Sequence, residues 1–449
     1  MIQALRNALT LPDLRRKLLY TVLILVIYRL AVILLPVPGV NQEALATFLA
    51  QTTGAGQFFS VLNMLSGGAI ERFSVMANGV QSYITAQLIV QLLQPIVPAL
   101  ERLAAEGETG QRKLNRLIYY VTIPLSMLQS YGSIQLINSS YTVKILPSFG
   151  FTAAENILPT ITVLLSMVAG TMIAMWLGEL ISEQGIGNGI SLIIFGGVVS
   201  GVPQNIVSLW SQGQDKDPSG GISVLLLSII LAIMAVTMFV IVVVQEGQRR
   251  IPVQYGKRVR GMKTYGGGST HIPLRINTVG MIPLIFAQAI LTFPGIVAQF
   301  FVNNESVGQF ASGVISFFTP GQSTWYIPLY FVAVVGFTYF YTDVMVQQQD
   351  LPNALKRQGG FIPGIRPGKK TADYINSVYR RITLVGAVFL GAVAVLPLIT
   401  NAVLYSTLQI RTSALLITAS GLIIVVGTVL DTMRQLEAQL LMRHYEGFI

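Results

Sequence analysis

Ten apolar stretches of 18 to 26 residues recur along this chain of 449, at 18–35, 74–95, 114–137, 155–177, 188–209, 222–245, 274–299, 326–347, 375–398 and 413–433. A helix of about 20 apolar residues crosses the ~30 Å hydrocarbon core of a bilayer. Hydrophobic residues make up 52% of the chain and charged residues 11%, against about 25% charged in ordinary soluble proteins. So little polar surface cannot cover a water-soluble protein of this length. The bilayer is the main solvent, and the expected fold is an all-α polytopic membrane protein with ten spanning helices. The first stretch follows Arg15, Arg16 and Lys17, as a secretory signal would. It is long, carries Arg29 and has no small-residue cleavage site before Pro36, so it reads as a retained span.

The net charge is +10, and its distribution sets an orientation. If the ten stretches all cross, alternate loops beginning with the N-terminus hold 24 of the 29 Lys and Arg residues. The opposite side holds four, and Arg29 lies within a span. That asymmetry predicts both termini on the cytoplasmic side. Cys is absent and the two His, His271 and His444, are far apart in sequence. Disulfides, thiol catalysis and Cys-based metal centres are excluded, and little is left for an imidazole relay. No GxxxxGK[ST] phosphate loop occurs, and no cofactor is expected.

Several segments depart from plain spanning helices. Between the first two spans, residues 57–93 are apolar in patches, but Gly67-Gly68 and Glu71-Arg72 interrupt them. Two readings stay open: a re-entrant segment packed in protein or lining a cavity, or an amphipathic helix on the outer surface. Two cytoplasmic loops, 246–273 and 348–373, are long and basic. Val253, Tyr255 and Val259 around Gly256, followed by Gly266-Gly267-Gly268, predict a hairpin-like projection in the first. Pro and Gly in the second predict a turn-rich shape. Positive charge near span ends would suffice for topology. Long projecting loops with internal apolar residues suggest docking to an acidic or phosphate-bearing surface. GIGNGIS (185–191) lacks GxGxxG spacing and follows no strand, so it reads as a closely packed helix start. Gln81, Gln87 and Gln91 fit either interhelix hydrogen bonding or a wet interior face. Val80 and Ile84 share a face, but periodicity alone nominates no pore. No acidic or His pair sits at matching depth in separate spans. That weighs against a secondary transporter of a small solute, the rival function, and against a membrane-embedded enzyme.

Six long motifs carry a resemblance: GGAIERFSVMANGVQSYITAQLIVQLL (67–93), MWLGELISEQGIGNGISLIIFGGVVSGVP (175–203), EGQRRIPVQYGKRV (246–259), STHIPLRINTVGMIPLIFA (269–287), GGFIPGIRPGKKTADYI (359–375) and MRHYEGF (442–448). In order and content they resemble the SecY/Sec61-alpha family, the channel subunits of protein translocons. The resemblance implies a non-enzymatic channel that passes unfolded secretory chains and releases apolar segments sideways into lipid. It implies two pseudo-symmetric five-helix halves, 1–210 and 211–449, around an hourglass pore, with a re-entrant plug helix near 60–72. The plug would include Leu65, Ser66, Gly67, Gly68, Ala69, Ile70, Glu71 and Arg72.

By motif, the aliphatic pore ring falls on Val80, Ile84, Ile190, Ile194 and Ile285, with Ile424 as its last member and Ile417 the alternative. The lateral gate falls on Gln87, Leu88 and Gln91 in the second span, and Ile282 and Gln288 in the seventh. Docking of a SecA motor ATPase or a ribosome falls on Arg249, Arg250, Lys257, Arg258 and Arg366. Small SecE- and SecG-type subunits, signal sequences, nascent chains and membrane lipid are the further partners implied. The bacterial inner membrane, or a thylakoid membrane, is the implied location. One residue departs from the family pattern: Asp343 in FTYFYTDVMV, where an apolar or small residue is usual.

Overall fold

The computed structural model describes residues 11–446 except 44, 46–68, 71, 95, 141–144, 152–153, 217–220, 256–257, 261–262, 266–267, 278–279, 281, 300, 302–306, 319–322, 350, 352–354, 356, 367 and 409–412. The chain is mostly helical. Its first helix, α1 (Pro12–Leu34), begins with Pro at its first turn and Asp13 beside the positive end of the helix dipole. Leu14, Ile24, Tyr28 and Val32 are buried, while Leu19, Val22, Leu23, Val26 and Leu30 are exposed. A helix apolar on its exposed face as well as its buried one is suited to lipid rather than water. The same inversion recurs in α7 (Gly221–Glu246), which exposes Val236, Phe239 and Val243, and in α11 (Lys369–Leu408), which exposes Leu384, Val385 and Val388.

The remaining helices are α2 (Gln81–Leu93), α3 (Pro98–Ala105), α4 (Glu108–Ser140), α5 (Ala154–Gln184), α6 (Gly189–Lys216), α8 (Ile282–Gln299), α9 (Gly308–Phe318), α10 (Tyr326–Gln349) and α12 (Ser413–Glu446). Each expected span coincides wholly or largely with one of α1, α2, α4, α5, α6, α7, α8, α10, α11 and α12. Among the described residues, α1, α5, α10, most of α11 and the Leu227–Glu246 part of α7 are each long and apolar enough to cross a membrane. The apolar parts of α6 and α8, Gly189–Pro203 and Ile282–Gly295, are shorter.

The chain divides into two compact units. The first comprises 1–232, 289–327 and 397–449. Within it α1, α5, α6 and α12 pack together, and α4 packs against α2, α3 and α5. Two glycines permit these approaches: a Cβ on Gly189 would overlap the Gly178 carbonyl, and one on Gly170 the Val75 carbonyl. The GIGNGIS stretch is a turn opening α6. Ile186 N–H donates to Thr21 Oγ1 at 3.1 Å, Gly187 N–H to Gln435 Oε1 at 2.9 Å, and Gly189 N–H to Ser182 Oγ at 2.8 Å. Asn188 Oδ1 accepts from Ser191 N–H and caps α6. One turn thereby ties α1, α5 and α12 by its own backbone donors.

The second unit comprises 233–288 and 328–396. Strand β1 (Gln248–Tyr255) pairs antiparallel with β4 (Ser269–Arg275), in register from Gln248 opposite Arg275 to Gln254 opposite Ser269. Strands β2 (Arg258–Arg260) and β3 (Lys263–Tyr265) form a second antiparallel pair between them. This is the projection expected from the glycine punctuation. A short strand, β5 (Gly360–Phe361), pairs with the other edge of β1, giving the order β4-β1-β5.

Candidate functional site

Val80 caps the N-terminus of α2 and Ile84 follows one turn later, its N–H donating to the Val80 carbonyl at 3.0 Å. Both are buried, at 1% and 6% exposure. Ile190 and Ile194 stand one turn apart on α6, the first half-buried and the second buried. Ile424 is buried on α12, which packs against α6. These five belong to the first unit. Ile285 lies in α8, within the second unit, and its side chain falls outside the described residues.

Of the plug positions, Leu65, Ser66, Gly67, Gly68 and Glu71 lie outside the described residues, whereas Ala69 and Ile70 are buried and Arg72 is exposed. The chain leaving this segment is fastened firmly. Phe73 adopts φ +43°, a left-handed backbone conformation rare for an aromatic residue. Val37 N–H donates to the Phe73 carbonyl at 2.9 Å, and Val75 N–H and Ser74 Oγ to the Leu35 carbonyl at 2.8 and 3.0 Å. Phe73 is buried among Val37, Ile70, Ile134, Ile145, Val163 and Met167. Burial and these backbone bonds offset the cost of its conformation.

Of the gate positions expected on α2, Leu88 is buried and Gln87 and Gln91 are half-buried. Gln91 Oε1 is buried and meets no donor among the described residues. In the second unit Ile282 and Gln288 are half-buried on α8. Polar contacts between α2 and α4 involve residues the sequence does not single out. Asn78 Nδ2 donates to Ser130 Oγ at 2.7 Å and to the Ser126 carbonyl at 3.2 Å, and Ser82 Oγ donates to Gln129 Oε1 at 2.6 Å. They fasten α2 and its lead-in to α4. A run of Ser126, Gln129, Ser130 and Ser133 along one helix face is the only sequence signal for them.

The two basic loops form one platform. The β1–β5 pairing joins loop 348–373 to loop 246–273, and Tyr255 OH lies 3.4 Å from Gln358 Oε1. Ile251, Val253, Leu274, Leu355, Ile362, Ile375, Val378 and Tyr379 form a shared apolar core beneath. Alternation along β1 sends Ile251 and Val253 into this core and Arg250 to the opposite face, while Arg249, exposed on the same face as Ile251, precedes the buried run. Lys257 and the side chain of Arg258 lie outside the described residues. Arg366 is exposed; its carbonyl accepts from Thr371 Oγ1 at 2.9 Å, and the turns around it run through Gly364 and Gly368 at φ +82° and +110°. Guanidinium groups stand on a fixed frame, suited to paired hydrogen bonds with carboxylate or phosphate oxygens. Among the described residues no group of three or more His, Asp or Glu is arranged to hold a metal ion.

The family model described as SecY matches residues 74–433. The chain is 40% identical over its full length to the protein translocase subunit SecY of Halalkalibacterium halodurans and 37% identical to that of Streptomyces scabiei, each covered completely. The chain belongs to the SecY family. Solved structures agree in fold. A protein-conducting channel superposes with a TM-score of 0.63 at 16% identity, covering 94% of this chain and 91% of the other. The Sec61 channel of a canine ribosome-channel complex gives 0.59, with the same coverage. A SecY structure concerned with the plug domain and the closed state gives 0.60. As a SecY-family chain the molecule is a multi-pass membrane protein and a non-enzymatic translocase subunit.

Proposed function

We propose that this SecY-family chain, a protein-conducting translocation channel, seals its pore by dewetting and opens it to unfolded secretory polypeptides. Val80, Ile84, Ile190, Ile194, Ile285 and Ile424 form the constriction. The reading rests on the burial of aliphatic side chains at the motif-matched positions Val80, Ile84, Ile194 and Ile424. Branched aliphatic groups wet poorly, so a narrow ring of them resists water and ions. It yields around an extended chain without binding passing peptide groups, as a polar ring would. The segment near 60–72 is the plug, and the Pro36–Ser74 bridge is its fixed base.

The ten spans form two pseudo-symmetric halves, 1–210 and 211–449, around an hourglass pore, with both termini cytoplasmic in a bacterial inner membrane. Apolar segments leave sideways between Gln87, Leu88 and Gln91 on one side and Ile282 and Gln288 on the other. Signal sequences are selected there by transfer energy, about 0.3–0.6 kcal/mol per central Leu or Ile. The basic platform of Arg249, Arg250, Lys257, Arg258 and Arg366 receives a SecA-type motor or a ribosome, and SecE- and SecG-type subunits complete the channel. A relative of this fold has been solved with a ribosome, which supports the second of those partners.

Replacing Val80, Ile84, Ile190, Ile194 and Ile285 by Ser tests the seal. The expected result is an ion leak through the resting channel in planar bilayers. Conductance equal to that of the unaltered protein would overturn the ring assignment.

A further inference from the structure

Residues 300–325, which join α8 to α10, do not have the composition of a solvated loop. They hold six aromatic residues and a single charged one, Glu305. Phe301, Phe310, Phe317 and Trp325 are exposed, Phe310 at 74% and Trp325 at 71%. At the centre of this stretch lies α9, and with about 100° between successive residues of a helix its side chains fall on three faces. Ala311, Ile315 and Phe318 share one; Ala311 is buried and the other two are half-buried, so this face meets the protein. Gln309, Ser312 and Ser316 share the opposite face, and all are exposed. The two serine hydroxyls donate back to the Gln309 and Gly313 carbonyls, each at 2.9 Å.

The third face carries Phe310, Val314 and Phe317, continued by Val307 just before the helix. Val307, Phe310 and Phe317 are exposed and Val314 is half-buried. This face adjoins the packed one, so the apolar arc of α9 is about twice as wide as the part the protein covers. The exposed half is held in place, since the Phe317 ring meets that of the half-buried Phe318 edge to face at 5.1 Å between centroids. Three observations say what covers it. The helix carries no charged residue, so neither an acidic nor a basic surface has anything on it to pair with. It lies in sequence between two expected spans of a multi-pass membrane protein, and α10 is long and apolar enough to cross a membrane. Trp325, exposed one residue before α10, is of the residue type that marks the headgroup level of a span. An amphipathic helix too short to cross, tethered beside that level, has the character of one lying in the plane of the membrane boundary.

We propose that α9 is an interfacial anchor. It lies flat between lipid headgroups and acyl chains, with Phe310, Val314 and Phe317 in lipid and Gln309, Ser312 and Ser316 toward water. Its partner is the membrane that the neighbouring helices cross, and the contact fixes the height of the segment joining α8 to α10. Because the helix is uncharged, a neutral lipid suffices. The proposal holds whichever way up the molecule sits, and it stands or falls independently of the pore and docking assignments.

The chain has no Cys, so each introduced thiol carries a bimane label at one site. Full-length Val307→Cys, Phe310→Cys, Ser312→Cys and Ser316→Cys are labelled and reconstituted in phosphatidylcholine vesicles at no more than one chain per vesicle. Bimane emission is quenched from the lipid side by brominated phosphatidylcholine and from the water side by iodide, present on both sides of the vesicle wall. Labels at 307 and 310 should be quenched by the brominated lipid at least about twofold more than those at 312 and 316, as for a helix sunk to its apolar face. Iodide should give the reverse order. Iodide quenching at 307 and 310 equal to that at 312 and 316 would put the apolar face in water and overturn the proposal. Shielding of 307 and 310 from both quenchers would mean that protein covers the face, and would also overturn it. Val307→Cys leaves every side chain of α9 in place, so its result decides the matter even where Phe310→Cys fails to fold.

Discussion

At Gly189 a side chain has no room. A Cβ there would overlap the carbonyl oxygen of Gly178, a backbone atom that cannot swing aside. Gly189→Ala therefore pushes α5 and α6 apart at the turn that also binds Thr21 and Gln435. Overpacking of this kind costs ~1–3 kcal/mol, read as a lower thermal melting midpoint of the detergent-solubilised protein. Gly313→Ala on α9, where a Cβ meets nothing within 4 Å, should change the midpoint little and serves as the control. Equal shifts in the two variants would remove the close approach at Gly189. Residue-level legibility in the sequence follows the range of the interaction. Spacing put Val80 and Ile84 on one helix face because that relation is local. The Asn78–Ser130 bond joins residues 52 apart in sequence, and no pattern around either predicts its partner. The positive φ of Phe73 is equally unreadable, since sequence favours Gly, Asn or Asp at such a position.

At the scale of elements, the projecting loop was legible because glycine runs and β-branched alternation are themselves local signals. The two-residue strand β5 was not, because a strand that short is defined by the edge it joins rather than by its own sequence. That unread pairing makes one platform of two loops, and it places Arg366 on the same body as Arg249 and Arg250. Arg366→Glu should block motor-driven secretion of a reporter while the protein still accumulates in the membrane. The carbonyl of residue 366, which receives Thr371, is unaffected by the change, so the loop shape should survive. Normal secretion by this variant would take Arg366 out of the docking surface. Reversing one charge on a rigid basic frame leaves a repulsive contact as well as a lost attractive one, so the loss should exceed that of Arg366→Ala.

At the scale of the whole molecule, the inside-out distribution of apolar residues was visible in composition alone, and a helix occupies most of each of the ten stretches, although α2 begins only at Gln81 and α8 only at Ile282. Orientation is a different kind of property, since the same helix packing fits a bilayer either way up. It is carried by the 24-to-4 partition of Lys and Arg, which acts through insertion energetics rather than through contacts in the folded state. The absence of Cys makes this directly measurable, because any introduced thiol is the only one in the chain. Gly268 is exposed beside the β-hairpin, with open space for a side chain, and Ser148 is exposed between α4 and α5. With both termini cytoplasmic, Gly268→Cys should react with a membrane-impermeant maleimide only in inside-out vesicles, and Ser148→Cys only in right-side-out ones. The reverse pattern would invert the molecule, and labelling of both from one side would break the alternation on which ten spans rest. The expected pattern would put the basic platform on the side where motor and ribosome are found, turning charge bias in the sequence into a placed docking surface.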